Sequence, residues 1–198
     1  MKKLGISDYD RKMVKKTIAQ FESKRDPVEI FYDLCLCLCV PQTTFKSAAK
    51  VLRELVARNF YLEHISREEL RKIVKPVRFL RKADFLLAAK KDFEGIYSVV
   101  VSSNSSYEKR EALVKRVRGM GMKAGSHFLR NMGVTDLAII DTHVLKFLEA
   151  APPKSKREYL ELECDFQAAS REYGMATAEL DAYIWKFYSG TPWEEYFA

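Results

Sequence analysis

Lys123 and Asp141, eighteen positions apart in VRGMGMKAGSHFLRNMGVTDLAIIDTH (117–143), are the residues best suited to do chemistry. Lys123 follows RGMG and stands in the first turn of a predicted helix. A helix N-terminus favours anions and so disfavours the charged form of a lysine placed there. Burial in a cleft would act in the same direction. The neutral amine is the form that attacks an electrophile, so this placement suits a nucleophile. A lone lysine is ordinarily a solvated surface residue, and its surroundings must decide. Asp141 follows the apolar run LAII and opens DTHVLKFL, which has the form of an N-cap. Capping fixes the direction of a carboxylate, so the same residue can cap and catalyse.

The elements that must position this pair begin with the glycines. Gly119 and Gly121 let the backbone turn sharply between two helices and leave no side chain in the way. The N–H groups opening the second helix then face outward and can bind a phosphate oxygen. Such a contact reads backbone, not base sequence. Taken alone, G-x-G is also what an ordinary tight turn carries.

The rest of the chain predicts an all-α protein of about ten helices. Apolar positions at Met13, Val14, Ile18 and Phe21 have helical spacing within Asp8 to about Lys24. Asp26-Pro27 opens a second helix, PVEIFYDLCLCLCV, which ends at Pro41. QTTFKSAAKVLRELVARN is amphipathic, and Ser66 with Glu69 forms a capping box. Further helices are expected over Val77–Lys91, FEGIYSVVV, Glu108–Val117, and Met122–Met132 with Gly133 as its stop. Another begins at Asp141, and two more cover 156–173 and 177–189, each ending near a glycine.

Composition narrows the partners. Of 198 residues 47% are apolar, ample for one domain or two small lobes. The excess of 34 Lys and Arg over 27 acids gives a net charge of +7, which favours an anionic partner such as nucleic acid. No run of about twenty apolar residues predicts a membrane span. The N-terminus MKKLGISDYDRKMVKK regains charge too soon for a signal peptide, so a cytoplasmic protein is expected. Cys35, Cys37, Cys39 and Cys164 are then free thiols. The C-x-C-x-C run lacks zinc spacing, and on a helix three such thiols do not converge, so core packing is expected.

With these residues in place, VRGMGMKAGSHFLRN…AIIDTHVL resembles the helix-hairpin-helix DNA glycosylase superfamily. VPQTTFKSAAKVL is similar to the segment that carries a polar wedge into DNA, and VRFLRKADFLLAA to the superfamily's F-x-x-K-A helix. MKAGSHFLRNMG and the short chain most resemble the type 2 8-oxoguanine DNA glycosylase/AP lyases. The C-terminal four-cysteine iron–sulfur motif of endonuclease III relatives is missing. The tail, EEYFA, departs from the type 2 pattern, which ends in a lysine near the base pocket.

The resemblance implies a two-lobed fold with a cleft between the lobes. One lobe is a six-helix barrel with the hairpin, residues 27–134; the other combines 1–26 and 135–198. Lys123 and Asp141 would face each other across the cleft. The implied reaction extrudes a damaged nucleotide from double-stranded DNA. Asp141 stabilises the oxocarbenium-like sugar, and Lys123 attacks C1′ to give a Schiff base and β-elimination. Neither metal nor cofactor is required, and the protein would act as a monomer away from membranes. Gln42 matches the wedge position, and its alternative is a polar residue at a helix start. His127, one turn after Lys123, would line the base pocket or sit in the core. His143 would contact a phosphate. Arg118 and Lys115 would supply nonspecific charge. Trp185, Trp193 and Phe197 are candidates to stack on the flipped base, with Trp185 the best suited to the core. Two other readings compete: the same chemistry on another oxidised base, and a noncatalytic helix-hairpin-helix module that only grips duplex phosphates. The latter gives Lys123 and Asp141 no role.

Overall fold

Helix starts in this chain are written in short polar motifs, and the structure, a computed structural model describing residues 3–21 and 25–193, follows them closely. Asp26, Ser66 and Ser105 each accept from the backbone N–H three residues on, while Glu29, Glu69 and Glu108 reach back to the cap. The helices are α1 (Asp8–Ala19), α2 (Pro27–Cys39), α3 (Phe45–Ala57), α4 (Arg67–Ile73), α5 (Lys82–Lys91) and α6 (Phe93–Val101). They continue with α7 (Ser106–Arg116), α8 (Met122–Asn131), α9 (Thr142–Leu148), α10 (Lys156–Glu172) and α11 (Thr177–Ser189). The described residues are thus all helical apart from connections, as expected. Gly133, Gly174 and Gly190 stop α8, α10 and α11 at positive φ.

Two boundaries differ from the sequence reading. The helix expected to run from Asp8 to about Lys24 ends at Ala19. The one expected over Val77–Lys91 is broken: a 3-10 turn covers Lys75–Val77, Arg78 adopts φ 69, and α5 starts only at Lys82. A residue at positive φ cannot continue a right-handed helix, and here Phe79 N bonds Val77 O at 2.8 Å across a three-residue turn.

The chain divides into two compact units, Lys24–Phe128 and Met1–Ser23 with Leu129–Ala198. In the continuous unit, α2 packs on α3, α5 and α6. Cys35, Cys37 and Cys39 are all buried on α2, whose surface is covered nearly all round, and burial pushes the Cys39 thiol up to about 12. The thiols therefore pack as apolar groups, as the sequence suggested. Phe31 anchors this core, with the Phe93 ring edge-on at 5.1 Å.

In the second unit α11 packs on α1, α9 and α10. Phe147 and Phe166 meet edge-on at 6.0 Å inside it. Asp10 of α1 receives Trp193 Nε1 at 2.9 Å and Lys186 Nζ at 3.2 Å. No helix of the described residues is long and apolar enough to cross a membrane.

Candidate active site

The hairpin is built by close approach. Gly119 adopts φ 89, and a Cβ there would lie 2.4 Å from the Phe85 ring of α5, so only glycine fits. Gly121 is different: its φ is ordinary and nothing lies within 4 Å of an added Cβ. The sequence reading gave both glycines a turn role. The structure gives that role to Gly119 and leaves Gly121 as bare backbone. Gly121 O accepts from Gly125 N at 2.9 Å, so it begins α8, and the N–H groups after it belong to the set that helix geometry leaves unsatisfied. Arg118 is exposed with its guanidinium carbon 5.8 Å from the Phe85 ring centroid. Lys115 is exposed as well.

Beneath α8 lies a charge that sequence reasoning missed. Arg110 of α7 is 1% exposed, and its Nη1 donates to Ser126 Oγ on α8 at 2.9 Å. Gly125 lets the two helices close together: a Cβ there would sit 3.2 Å from Arg110 Cγ. Periodicity makes an arginine in SYEKREALVKR a surface residue, and only its partner on the next helix reveals otherwise. Lys123 itself is exposed, in the first turn of α8. The burial expected of it is therefore not present in the free chain. His127, one turn later, is half-buried.

Asp141 stands in the other unit and is reached by an unusual route. Leu137, Ala138, Ile139 and Ile140 are all buried without regular structure, so their backbone must find partners elsewhere. One face of α10 supplies them at helical spacing. Gln167 Nε2 donates to Asp136 O at 2.8 Å. Glu163 Oε1 accepts from Ala138 N at 2.9 Å. Tyr159 Oη donates to Ala138 O at 2.9 Å and accepts from Ile140 N at 3.3 Å. The buried Glu163, 1% exposed, was invisible in the sequence for the same reason as Arg110. This rail delivers Asp141 to the start of α9. There its Oδ1 accepts from His143 N at 2.8 Å and Val144 N at 2.9 Å. Among the described residues Oδ2 has no such bond, so the carboxylate is aimed and half of it is open.

His143 stacks on Tyr188 at 6.1 Å and 15°, and its Nδ1 is shielded with no hydrogen-bond partner among the described residues. The aromatic candidates trade places. Trp193 is 2% exposed and bonded to Asp10, so it presents no open stacking face. Trp185, expected in the core, is half-buried. Phe197 and the tail after Trp193 lie outside the described residues.

Gln42 is exposed in the turn between α2 and α3, two residues before the Thr44 cap, rather than at a helix start. Thr43 N bonds Val40 O at 3.1 Å, and Gln42 has φ 59. Proline second and positive φ third is a type II arrangement, which favours glycine or asparagine where this chain has glutamine. The conformation costs an L-residue about 1–2 kcal/mol. Among the described residues no three His, Cys, Asp or Glu are grouped to hold a metal.

A sequence profile for 8-oxoguanine DNA glycosylase matches residues 14–175. The 8-oxoguanine DNA glycosylase/AP lyase of Methanocaldococcus jannaschii is 34% identical over 190 residues, 90% of either chain. The crystal structure of the 8-oxoguanine glycosylase/lyase from that organism, in complex with a 15mer DNA containing 8-oxoguanine, superposes with a TM-score of 0.82 at 32% identity, covering 91% of both chains. The 8-oxoguanine DNA glycosylase of Thermotoga maritima gives 0.81 at 25% identity, over 93% of this chain and 92% of that one. With a profile match across most of its length and relatives this similar, the chain belongs to the 8-oxoguanine DNA glycosylase family.

Proposed function

We propose that this protein is a base-excision repair glycosylase/AP lyase that removes 8-oxoguanine from double-stranded DNA. The observation that carries the reading is Lys123, exposed in the first turn of a helix that follows a glycine turn with bare backbone. A duplex phosphate seats on that backbone, and the lysine stands within the same turn. Bound DNA excludes water from the turn that the free chain leaves exposed, and the attack takes place through the lone pair of the lysine amine. Asp141 stabilises the positive charge that develops at C1′ as the glycosidic bond lengthens. Lys123 Nζ then bonds C1′ and the base departs. Ring opening gives the Schiff base, loss of the 2′ proton follows, and the 3′ phosphate leaves by β-elimination.

Gly119, Gly121 and Arg118 hold the phosphates near the hairpin, Gln42 fills the gap left by the extruded base, and His143 meets a further phosphate. His127 lines the pocket for the base. The chain acts as a monomer where the cell keeps its DNA, in the cytoplasm. The named activities of the relatives support this reading.

The test is a borohydride trap with an 8-oxoguanine duplex. The expected result is a covalent protein–DNA adduct that Lys123→Gln abolishes while duplex binding persists. Failure of the wild type to form an adduct with any oxidised base would leave only a duplex-binding module.

A further inference from the structure

Lys82 is a buried cation on the family's F-x-x-K-A segment to which the reaction above gives no task. It is 4% exposed, at the first position of α5. Burial lowers its pKa, as expected of an ammonium removed from water. Two carbonyls compensate it. Lys82 Nζ donates to Cys39 O at 2.5 Å and to Pro41 O at 2.8 Å. Cys39 is the last residue of α2, where free carbonyls and the negative end of the helix dipole attract a cation. Pro41 immediately precedes Gln42, the residue held at φ 59. The ammonium therefore bridges the end of α2 and the start of the turn, and fixes the peptide from which the strained residue springs.

The same helix does a second service. Three residues on, Phe85 lies under Gly119 of the hairpin and beside Arg118. The first turn of α5 thus touches both the Gln42 turn and the hairpin, two loops far apart in sequence. A left-handed glutamine persists only where its surroundings over-determine it. Lys82, through Pro41 O, adds to the Thr43 N–Val40 O bond that closes the turn.

We infer that Lys82 is a positioning residue for base extrusion: its ammonium clamps the α2–α3 turn so that Gln42 points out as a preformed wedge beside the hairpin. The inference rests on the proposed function, and deepens it by naming what holds the wedge. A clamp of this kind matters only where the enzyme must occupy a gap in paired DNA. It has no work to do on a lesion in a single strand.

Single-turnover excision is compared on an 8-oxoguanine duplex and on the same lesion strand unpaired. Lys82→Met is expected to slow the duplex reaction at least tenfold, about as much as Gln42→Ala, while single-strand rates stay within twofold of wild type. The double variant should be no slower than either single variant, because both remove one device. A merely structural lysine would instead lower both substrates in proportion and would add to Gln42→Ala. If Lys82→Met does not fold, Lys82→Gln replaces it: neutral, and one bond too short to reach both carbonyls. The same duplex-selective loss is then expected, and a folded variant with the wild-type ratio of the two rates overturns the clamp. Wild-type enzyme without activity on any lesion would bring down the proposed function, and this inference with it. An active wild type in which Gln42→Ala is duplex-impaired and Lys82→Met is not overturns this inference alone.

Discussion

The turn that carries Lys123 and the segment that carries Asp141 are held in place by different physics. The hairpin is a packing device: Gly119 against the Phe85 ring, Gly125 against the Arg110 stem, with one buried hydrogen bond to Ser126. The segment from Asp136 to Ile140 is a hydrogen-bonding device, an irregular backbone buried from Leu137 onward and answered by Gln167, Glu163 and Tyr159 along one face of α10. Packing tolerates no added atom, whereas hydrogen bonding tolerates no missing one. Lys123 is thereby left exposed on a rigid turn, and the Asp141 carboxylate is fixed in a part-buried setting.

Four substitutions sharpen this contrast. Asp141→Asn separates cap from charge, since asparagine caps a helix as well as aspartate does. The melting temperature should hold while single-turnover excision falls about 100- to 1,000-fold. An unchanged rate would show that only the cap matters. Next, Gly119→Ala should cost about 2–4 kcal/mol in a denaturant titration, from left-handed backbone and collision with Phe85 together. Gly121→Ala should leave stability alone, since nothing lies within 4 Å of the added methyl, and weaken duplex affinity if the proposed phosphate seat is there. Equal effects at the two glycines would erase the distinction between them. Smallest is Tyr159→Phe, which keeps the ring and removes only the hydroxyl between Ala138 O and Ile140 N. About 1–3 kcal/mol of stability should be lost, with duplex binding by the hairpin retained. A neutral result would mean that the rail is redundant.

Much of this architecture could be read before any coordinates. The boxes at Asp26 and Ser66, the glycine stops and the Asp141 cap are local rules, decided within four residues. The cysteine run was legible as core because burial is the ordinary state of that side chain. Arg110, Lys82 and Glu163 were not legible. Each is a charge in a helical pattern that normally faces water, and each is buried by a partner at least sixteen residues away. The exchanged fates of Trp185 and Trp193 have the same origin, for Trp193 is buried with Asp10, 183 positions earlier. Gln42 was singled out by resemblance, but its positive-φ backbone was not legible, since the turn type favours other residues.

The bond between Trp193 and Asp10 also sets an order of events on the ribosome. Helix α1 (Asp8–Ala19) emerges well ahead of its packing partner α11, which begins only at Thr177. At bacterial-like synthesis speeds that delay is on the order of ten to thirty seconds. Over the same interval Lys24–Phe128 leaves the exit tunnel as one uninterrupted stretch and can close on itself. The nascent α1 therefore waits with Val14 and Ile18 uncovered, a natural foothold for a chaperone until α11 has been made.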